Sequence, residues 1–260
     1  MQFLFFFVIV TAIYFFIPHR FRWFLLLVSS CIFYCTFIPI YLFILVFTII
    51  IDYFAGILIE QAHGKKRKML LLFSVIANIG VLAFFKYYNF FIENINTVLN
   101  ELHLPTYQLS YLSIILPIGL SFHTFQALSY TIEVYRGNQK AEKHFGIYAL
   151  YVMFYPQLVA GPIERPQNLL HQFHEEKYFE FNRIVIGLQQ IVWGLFKKVV
   201  VSDVLAKYVD SIYNNYEVNT GFTLVFATYA FAFQIYCDFS GYSDIALGSA
   251  KVMGFNLMNN

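Results

Sequence analysis

Long runs of apolar residues, repeated along the chain, limit its fold more than any other feature. The runs cover about 2–17, 21–37, 39–60, 69–92, 110–135, 146–160, 184–204 and 222–238, and a further apolar helix begins at about 244. A helix needs about 20 residues to cross about 30 Å of hydrocarbon, and fewer where flanking groups reach the interface. Because backbone N–H and C=O groups in hydrocarbon must be paired within the protein, the pattern predicts an all-α polytopic integral membrane protein with about eight or nine apolar helices.

Charged residues are too scarce for a water-soluble chain of this length. Only 12% of the 260 residues are Asp, Glu, Lys or Arg, and 59% are hydrophobic. A soluble domain has about a quarter of its residues charged, so lipid must cover much of this exterior. The basic residues form short clusters between apolar runs and no continuous patch, which argues against a nucleic-acid partner.

The distribution of Lys and Arg predicts the orientation in the membrane. Basic residues cluster in three connections, 18–22, 65–68 and 136–143, whereas 36–41 and 93–108 contain neither Lys nor Arg. The two kinds of connection alternate along five successive spans. By the positive-inside rule the basic connections face the cytoplasm, so the N-terminus is expected outside.

The cysteines do not form a pattern that indicates a metal site. Cys31 and Cys35 are four residues apart and share a helical face, but no nearby His, Asp or third Cys completes a ligand set. Cys237 also lies in an apolar run, so all three are expected to be small packing residues outside any disulfide. No metal is expected. A glycine-rich phosphate loop and a nucleophile elbow are also missing from the sequence.

Ionisable side chains within apolar runs mark either a site or a buried pair, because each costs about 3 kcal/mol or more at membrane depth. Asp52 either lines a channel or, as we favour, pairs with a hydroxyl or basic group of a neighbouring helix. His123 is either a catalytic base or, as we favour, an amphipathic residue satisfied by a carbonyl or hydroxyl. Lys197 and Lys198 are compatible with a phosphorylated cofactor and equally with anionic lipid headgroups.

The most polar stretch at the end of an apolar run begins at Gln234. On a helix, Gln234 and Asp238 stack four residues apart, and so do Ser240 and Asp244. Carboxylates with hydroxyls and a glutamine at this position predict either the lining of an internal cavity or a purely structural hydrogen-bonded cluster. Paired carboxylates can also do acid–base work, but nothing here identifies a nucleophile.

Glycine and proline modify two of the apolar segments. Pro162 and Pro166 exclude regular helix across 161–166, and irregular backbone at membrane depth must be buried in protein or line a cavity. Gly241 and Gly248 are predicted to permit either the close approach of another helix or a break.

Four segments, in this order, resemble the membrane-bound O-acyltransferase family, particularly its branch of alginate O-acetyltransferases. They are PIGLSF running on to TIEVYRG (117–137), FYPQLVAGPIER (154–165), GLFKKVV (194–200) and DFSGYSDIA (238–246). The resemblance implies a helical bundle around a membrane tunnel, of which residues 1–260 form a single membrane domain that is incomplete at the C-terminus.

The resemblance also implies an activity. The expected reaction moves an acyl group from a cytoplasmic thioester donor, such as acetyl-CoA, to a hydroxyl of an exported polysaccharide. The expected setting is a bacterial plasma membrane, with a partner protein at the outer face. A hydroxyl made nucleophilic by proton removal would attack the thioester carbonyl.

The resemblance further suggests which residues form the tunnel wall. These candidates are Glu164, Arg165, Gln234, Asp238, Ser240, Tyr242 and Asp244. No catalytic residue carries over, because the family's two histidine motifs follow the segment 238–244 and are expected beyond Asn260. The 260 residues alone are therefore expected to be inactive.

Two other functions remain open from the sequence. One is a D-alanyl transfer protein for teichoic acid, which would use a carrier-protein thioester as donor. The other is a transporter or channel subunit with a polar site at the midplane. That alternative predicts an internal repeat, and the sequence contains none that we can identify.

Overall fold

The computed structural model describes residues 2–36, 39–102, 109–112, 119–158 and 161–259. Its α-helices are α1 Gln2–Phe16, α2 His19–Cys35, α3 Tyr41–Gln61, α4 Gly64–Glu101, α5 Leu120–Arg136, α6 Phe145–Met153, α7 Pro166–His174, α8 Phe181–Leu195, α9 Asp203–Tyr213 and α10 Gly221–Met253. A π-helical turn, Phe196–Ser202, joins α8 to α9, and a short 3-10 turn, Tyr216–Val218, precedes α10. The prediction of an all-α membrane protein is confirmed.

Within the described residues, four helical stretches are long and apolar enough to cross a membrane. They are Tyr41–Gln61, Gly64–Glu101, Phe181–Tyr213 and Gly221–Met253, and the shorter apolar helix Phe3–Phe16 accompanies them. The third stretch runs through α8, the π-helical turn and α9 without interruption. The chain is therefore a multi-pass membrane protein.

The helix ends follow from local sequence. Pro166 occupies the first turn of α7, where its missing N–H has no helical partner to lose. Gly137 after α5 and Gly254 after α10 take up left-handed conformations, with φ of 84° and 99°, which a residue with a Cβ adopts only at a cost. Residues 161–165, between α6 and α7, have no regular secondary structure.

Several helix boundaries differ from the sequence prediction, including that of α4, which spans Gly64–Glu101 where the apolar run covered 69–92. The pattern indicated a helix that ends near 238 and another that begins at about 244, whereas α10 runs unbroken from Gly221 to Met253. The polar residues between them remain helical because α8 packs along this part of α10. Helix α5 also begins later than its apolar run suggested, at Leu120, and residues 113–118 of that run lie outside the described residues.

The chain divides into two compact units, which are described separately. The first contains Met1–Ser30 and Met153–Asn260, and the second contains Cys31–Val152. In the second unit, α3, α4 and α5 pack against one another. In the first unit, α8, the π-helical turn and α9 all pack against α10.

Glycines bring α8 and α10 of the first unit into backbone contact. A Cβ added to Gly194 would lie 2.6 Å from the carbonyl oxygen of Gly241, and one added to Gly241 would lie 2.9 Å from that of Gly194. Gly187 and Gly248 form the same kind of pair, at 2.9 and 2.6 Å. The order of the pairs makes the helices antiparallel, with glycines seven residues apart on each. Small residues allow such close packing between membrane helices.

A buried polar network joins α3, α4 and α5 in the second unit. The Ser74 hydroxyl donates to Asp52 Oδ1 at 2.6 Å, and Asn78 Nδ2 lies 2.8 and 2.9 Å from the two carboxylate oxygens. Ser74 Oγ also lies 3.4 Å from Thr131 Oγ1 of α5. Our favoured interpretation of Asp52, a packing residue paired with a hydroxyl on a neighbouring helix, is confirmed.

His123 of α5 also has the environment that we favoured. Its ring is buried, and Nδ1 lies 3.1 Å from the carbonyl oxygen of Val152. One ring nitrogen of the histidine is therefore satisfied by a backbone carbonyl, as in an amphipathic core residue, whereas Nε2 has no hydrogen-bond partner among the described residues.

Two asparagines of α4 hold a non-helical segment by paired bonds to its backbone. Asn96 donates to the carbonyl of Leu109 at 2.9 Å and accepts from its N–H at 2.8 Å. Asn89 makes the same pair with Leu112, at 2.8 and 3.1 Å. Each side-chain amide thus pairs with both the N–H and the C=O of one residue whose backbone is not helical.

Candidate functional site

The π-helical turn Phe196–Ser202 directs two consecutive lysines toward α10. Turns of this kind are rare and frequently occur at functional sites. Lys198 passes directly over Gly241: a Cβ on this glycine would lie 3.0 Å from the Lys198 backbone nitrogen and 3.1 Å from its Cβ. The absent side chain of Gly241 thus lets the lysines approach carboxylates on either side of it.

Lys197 belongs to the less exposed of two ionic groups. Its ammonium forms an ion pair with Asp244 and donates a hydrogen bond to Ser240 Oγ at 2.5 Å. The exposed fractions of the Lys197 and Asp244 side chains are 15% and 19%. Gln190 of α8 donates to Asp244 Oδ1 at 3.3 Å and accepts from Lys251 at 3.3 Å. The Asp244 carboxylate therefore has a fixed orientation, set by α8 and the π-helical turn.

Lys198 lies at the centre of a second, more exposed group. Its ammonium is 2.6 Å from Asp238 Oδ1 and 2.8 Å from Asp203 Oδ1. It also lies 5.4 Å from the centre of the Tyr242 ring, within the range of a cation–π contact. Ser202 completes the group, since its hydroxyl lies 3.5 Å from Asp238 Oδ1.

The charges in these two groups balance. The cations are Lys197, Lys198 and Lys251, and the anions are Asp203, Asp238 and Asp244. Three positive and three negative side chains leave a formal charge of zero. Because the net charge is zero and both lysines of the π-helical turn are already paired with carboxylates, the groups do not provide the excess positive charge that binds a phosphate.

A cleft of about 620 Å³ opens beside Lys197 and Asp244. It is lined by the polar residues Gln190, Lys197, Ser240, Ser243, Asp244 and Asn259 and by the apolar or aromatic residues Ala232, Ile235, Tyr236, Phe239 and Leu247. Tyr236 and Phe239 are exposed aromatic rings. An apolar wall with a few convergent polar groups is the usual composition of a small-molecule site, and the volume lies within the usual range of about 300–1,000 Å³.

The seven tunnel-wall candidates predicted from sequence lie in different parts of the structure. Ser240 and Asp244 line the cleft, and Asp238 and Tyr242 surround Lys198. Gln234 contributes its backbone carbonyl, which accepts from Ser202 at 3.1 Å.

Glu164 and Arg165 are not among the residues that line this cleft. Arg165 is exposed. Glu164 is fully buried and accepts hydrogen bonds from Asn168 Nδ2 at 2.9 Å and from the Met258 N–H at 2.7 Å. Burial raises the pKa of this carboxyl, and the hydrogen bonds oppose that rise.

Sequence reasoning missed two residues of the cleft on the α8 side. Gln190 was not considered, and Lys197 was not recognised as the partner of Asp244. A usable signal was present, because Gln190 and Lys197 are seven residues apart, as are Gly187 and Gly194. Residues at that spacing share one face of a helix, so both pairs face α10 together.

The described part of the chain contains no group of three or more His, Cys, Asp or Glu side chains that could hold a metal ion. The fold and the cleft together define a polytopic helical membrane protein with a polar site between two closely packed helices. The comparisons with known proteins give this class a family. The model of the MBOAT, membrane-bound O-acyltransferase family, matches residues 142–260, the part of the chain from the start of α6 to the end of the cleft wall.

Relatives align with the rest of the chain as well. It is 33% identical over 261 residues to the probable alginate O-acetylase AlgI of Pseudomonas aeruginosa, covering 99% of this chain and 49% of the relative. It is 32% identical to the peptidoglycan O-acetyltransferase of Helicobacter pylori, covering 90% of this chain and 49% of that protein. The teichoic acid D-alanyltransferase of Bacillus subtilis is 22% identical over 55% of this chain and 37% of its own length.

The chain is thus similar to the membrane-bound O-acyltransferase family, whose model matches residues 142–260 and whose O-acetylase relatives align with nearly the whole chain. Our recognition of that family from four sequence segments is confirmed. The chain spans about half the length of the curated relatives that it matches most fully.

Proposed function

We propose that this chain is part of an O-acyltransferase that moves an acyl group, in our preferred version acetyl, from a cytoplasmic thioester such as acetyl-CoA to a hydroxyl of an exported cell-surface polysaccharide. The observation that carries the proposal is the similarity of nearly the whole chain to proteins named as O-acetylases of two different glycans. The site belongs to the segments that suggested the family, since Lys197 and Asp244 both lie within them.

The cleft is suited to a neutral hydroxylated ligand. Its lysine is already paired with a carboxylate, so an anionic group gains little there. Tyr236 and Phe239 offer flat apolar surfaces that fit the C–H faces of a sugar ring. Asp244, Gln190 and Asn259 add hydrogen-bonding groups for its hydroxyls. We assign the acceptor sugar to this cleft.

In the proposed reaction the acceptor hydroxyl oxygen attacks the thioester carbonyl. A C–O bond forms, the C–S bond breaks, and the hydroxyl proton leaves with the thiol. The ion pair of Lys197 and Asp244 has the role of orienting the sugar, with Asp244 accepting a hydrogen bond from a hydroxyl next to the reacting one. We assign no residue of the described chain as the base.

The proposal includes a setting for the protein. The chain lies in a bacterial plasma membrane with its N-terminus outside, which follows from the positive-inside rule. The donor is reached from the cytoplasm, and the acceptor polymer lies at the outer face. A partner protein at that face completes the delivery to the polymer. In this proposal, Gln234, Asp238 and Tyr242 are further candidates for residues of the tunnel wall.

The proposal can be tested with the complete gene expressed in bacterial membranes. Transfer from labelled acetyl-CoA to polysaccharide is measured for wild type, Asp244→Asn and Lys197→Met. Both substitutions should lower the rate about 100-fold, because a slightly misplaced substrate loses that much. Asp210→Asn, a change at an exposed acid of α9, is the matched control and should keep the wild-type rate. Wild-type transfer by Asp244→Asn would refute the assignment of the cleft.

D-alanyl transfer to teichoic acid is the alternative within the same chemistry. The similarity to a D-alanyltransferase is lower and covers about half of this chain, 55%, so we favour acetyl transfer. Supplying a D-alanyl carrier protein in place of acetyl-CoA distinguishes the two. A transporter or channel subunit would move its ligand without forming an ester, and a lack of ester product with either donor would favour that alternative.

A further inference from the structure

The chain reverses direction where α10 ends. Gly254 adopts φ of 99°, and its N–H donates to the carbonyl of Lys251 at 3.0 Å. The Phe255 N–H donates to the carbonyl of Ala250 at 2.9 Å. This pattern of bonds is a helix-ending motif that satisfies carbonyls which the helix leaves free. It sends the following residues away from the axis of α10 and along α7.

An aromatic cluster fixes the first residue after this turn. The Phe255 ring lies 5.3 Å from Phe154 and 5.1 Å from Phe173 of α7, measured between ring centroids. Phe154 and Phe173 are themselves 5.4 Å apart. All three rings are buried. Pairs of aromatic rings at such distances attract each other in addition to the effect of their burial, so Phe255 is a firm anchor.

Beyond Phe255, three polar side chains at four-residue spacing form hydrogen bonds with the backbone of Asn256 and Met258. Gln172 accepts from the Asn256 N–H at 2.8 Å and donates to its carbonyl at 2.9 Å. Asn168 donates to the same carbonyl at 2.9 Å. Glu164, just before α7, accepts from the Met258 N–H at 2.7 Å. We call Glu164, Asn168 and Gln172 the α7 ladder.

The ladder is connected internally, which makes its geometry specific. Asn168 Nδ2 donates to Glu164 Oε1 at 2.9 Å, and Gln172 Nε2 lies 2.6 Å from the Asn168 carbonyl. Glu164 is fully buried, and Gln172 is 5% exposed. A buried polar group that loses its partner destabilises the fold, so each residue of the ladder constrains the next.

The residue after Met258 reaches the cleft. Asn259 is one of the residues that line it, together with Lys197, Ser240 and Asp244. The last backbone bond to the ladder, from Met258 to Glu164, lies one residue earlier. The part of the wall that Asn259 contributes therefore depends on α7, although none of the ladder residues touches the cleft.

We propose that Glu164, Asn168 and Gln172 are positioning residues that hold the segment 255–258 along α7 and thereby place Asn259 in the wall of the acceptor cleft. This role rests on the proposed function of the cleft. The hydrogen bonds that hold the segment do not depend on that function, so the holding of the segment and its effect on the cleft can be tested separately.

The holding is tested by hydrogen exchange of backbone amides, resolved by residue, in the purified protein. In wild type the amides of Asn256 and Met258 should be protected. Glu164→Gln should speed exchange at Met258, because an amide cannot accept from all the donors that surround the carboxylate. Gln172→Leu should speed exchange at Asn256. We expect about a fivefold change at each, the effect of losing one net hydrogen bond on a local opening equilibrium.

Two further variants make the test decisive. His171→Gln changes an exposed residue of the same helix and should leave both amides unchanged. Asn168→Ala removes the middle rung and should speed exchange at both positions, which keeps the test available if Glu164→Gln fails to fold. Wild-type exchange across 254–259 in both Gln172→Leu and Asn168→Ala would overturn the proposal.

The consequence for the cleft is tested by kinetics with the complete protein. Gln172→Leu should raise the KM for the acceptor about fivefold and leave the KM for the acyl donor and kcat nearly unchanged. A merely structural defect would instead lower the amount of folded enzyme and leave both KM values at the wild-type level. Faster exchange with an unaltered acceptor KM would refute the positioning role. Faster exchange in a protein whose wild type transfers no acyl group would refute the proposed function and leave the holding of the segment established.

Discussion

Gly194 and Gly241 face each other so closely that a Cβ on either would lie within 3 Å of the other's carbonyl oxygen, at 2.6 and 2.9 Å. This contact fixes the distance between the π-helical turn and the carboxylates of α10. If the two helices separated by the width of a methyl group, Lys197 and Lys198 would lose their present contacts with Asp244 and Asp238. The geometry of the site therefore depends on two residues that have no side chain.

We predict that Gly241→Ala destabilises the protein by about 1–3 kcal/mol, because the added methyl meets backbone atoms that cannot move independently. The measurement is thermal unfolding in detergent. Gly80→Ala is the matched control, since Gly80 lies in α4 with nothing within 4 Å of an added Cβ. That substitution should be neutral or stabilising by about 1 kcal/mol through helix propensity. Equal effects of the two substitutions would contradict the close contact.

Asp52 and Asn78 should be energetically coupled. Asn78→Leu removes the amide that donates to the buried carboxylate, whereas the same change in an Asp52→Leu background removes no partner. We expect a coupling energy of about 1–3 kcal/mol from a double-mutant cycle on unfolding. Asn94→Leu, at an exposed position of the same helix, should change stability little. A coupling below about 0.5 kcal/mol, the usual limit for independent sites, would mean that the two residues act independently.

The proposed orientation makes a labelling prediction. In intact cells carrying a variant with Cys31, Cys35 and Cys237 replaced by alanine, an impermeant thiol reagent should fail to label Lys66→Cys and should label Thr97→Cys. Lys66 lies in the basic first turn of α4, and Thr97 lies in the last turns of the same helix. Permeabilised cells provide the control, because both positions should then react. The reverse pattern in intact cells would invert the topology.

Glu164 should give stability a specific pH dependence. Burial raises the pKa of its carboxyl above the ordinary value of 4.5, so the folded protein holds this proton more tightly than the unfolded chain. Its contribution is therefore fully present below the unfolded pKa and is lost as the pH rises through the folded pKa. The stability of wild type relative to Glu164→Gln should decrease as the pH rises above the ordinary pKa of 4.5, as measured by denaturant unfolding. A difference that increases with pH would show that the hydrogen bonds outweigh burial.

Apolar runs and charge placement were sufficient to predict the class of fold, because lipid leaves a chain few alternatives to helices. They failed at the centre of α10, where polar residues between 238 and 244 suggested a boundary. The sequence shows that such residues are unfavourable in lipid, but it does not show that α8 and the π-helical turn provide their partners. Helix α10 is continuous because other segments of the chain pack against it, and the sequence of α10 alone does not reveal those contacts.

The candidate site was predictable only in part. Asp244 and Ser240 were recognised because they stack on one helix at a local spacing. Their partner Lys197 is 43 or more residues away in sequence, so only the fold brings it to them. Glu164 was named only because the family resemblance implied a residue of the tunnel wall there. Its contact with Met258 spans 94 residues and could not be inferred from spacing.

The paired amide bonds of Asn89, Asn96 and Gln172 have a wider consequence. Each of these side chains offers a backbone segment the same donor and acceptor that a neighbouring β-strand would offer, at 2.8–3.1 Å. A helix that carries such an amide can therefore pair with the backbone of one residue in the way that the edge strand of a β-sheet would. In surroundings with little water, this lets non-repetitive backbone be accommodated without a second strand, and the positions of Asn and Gln along the helices determine where it can pass.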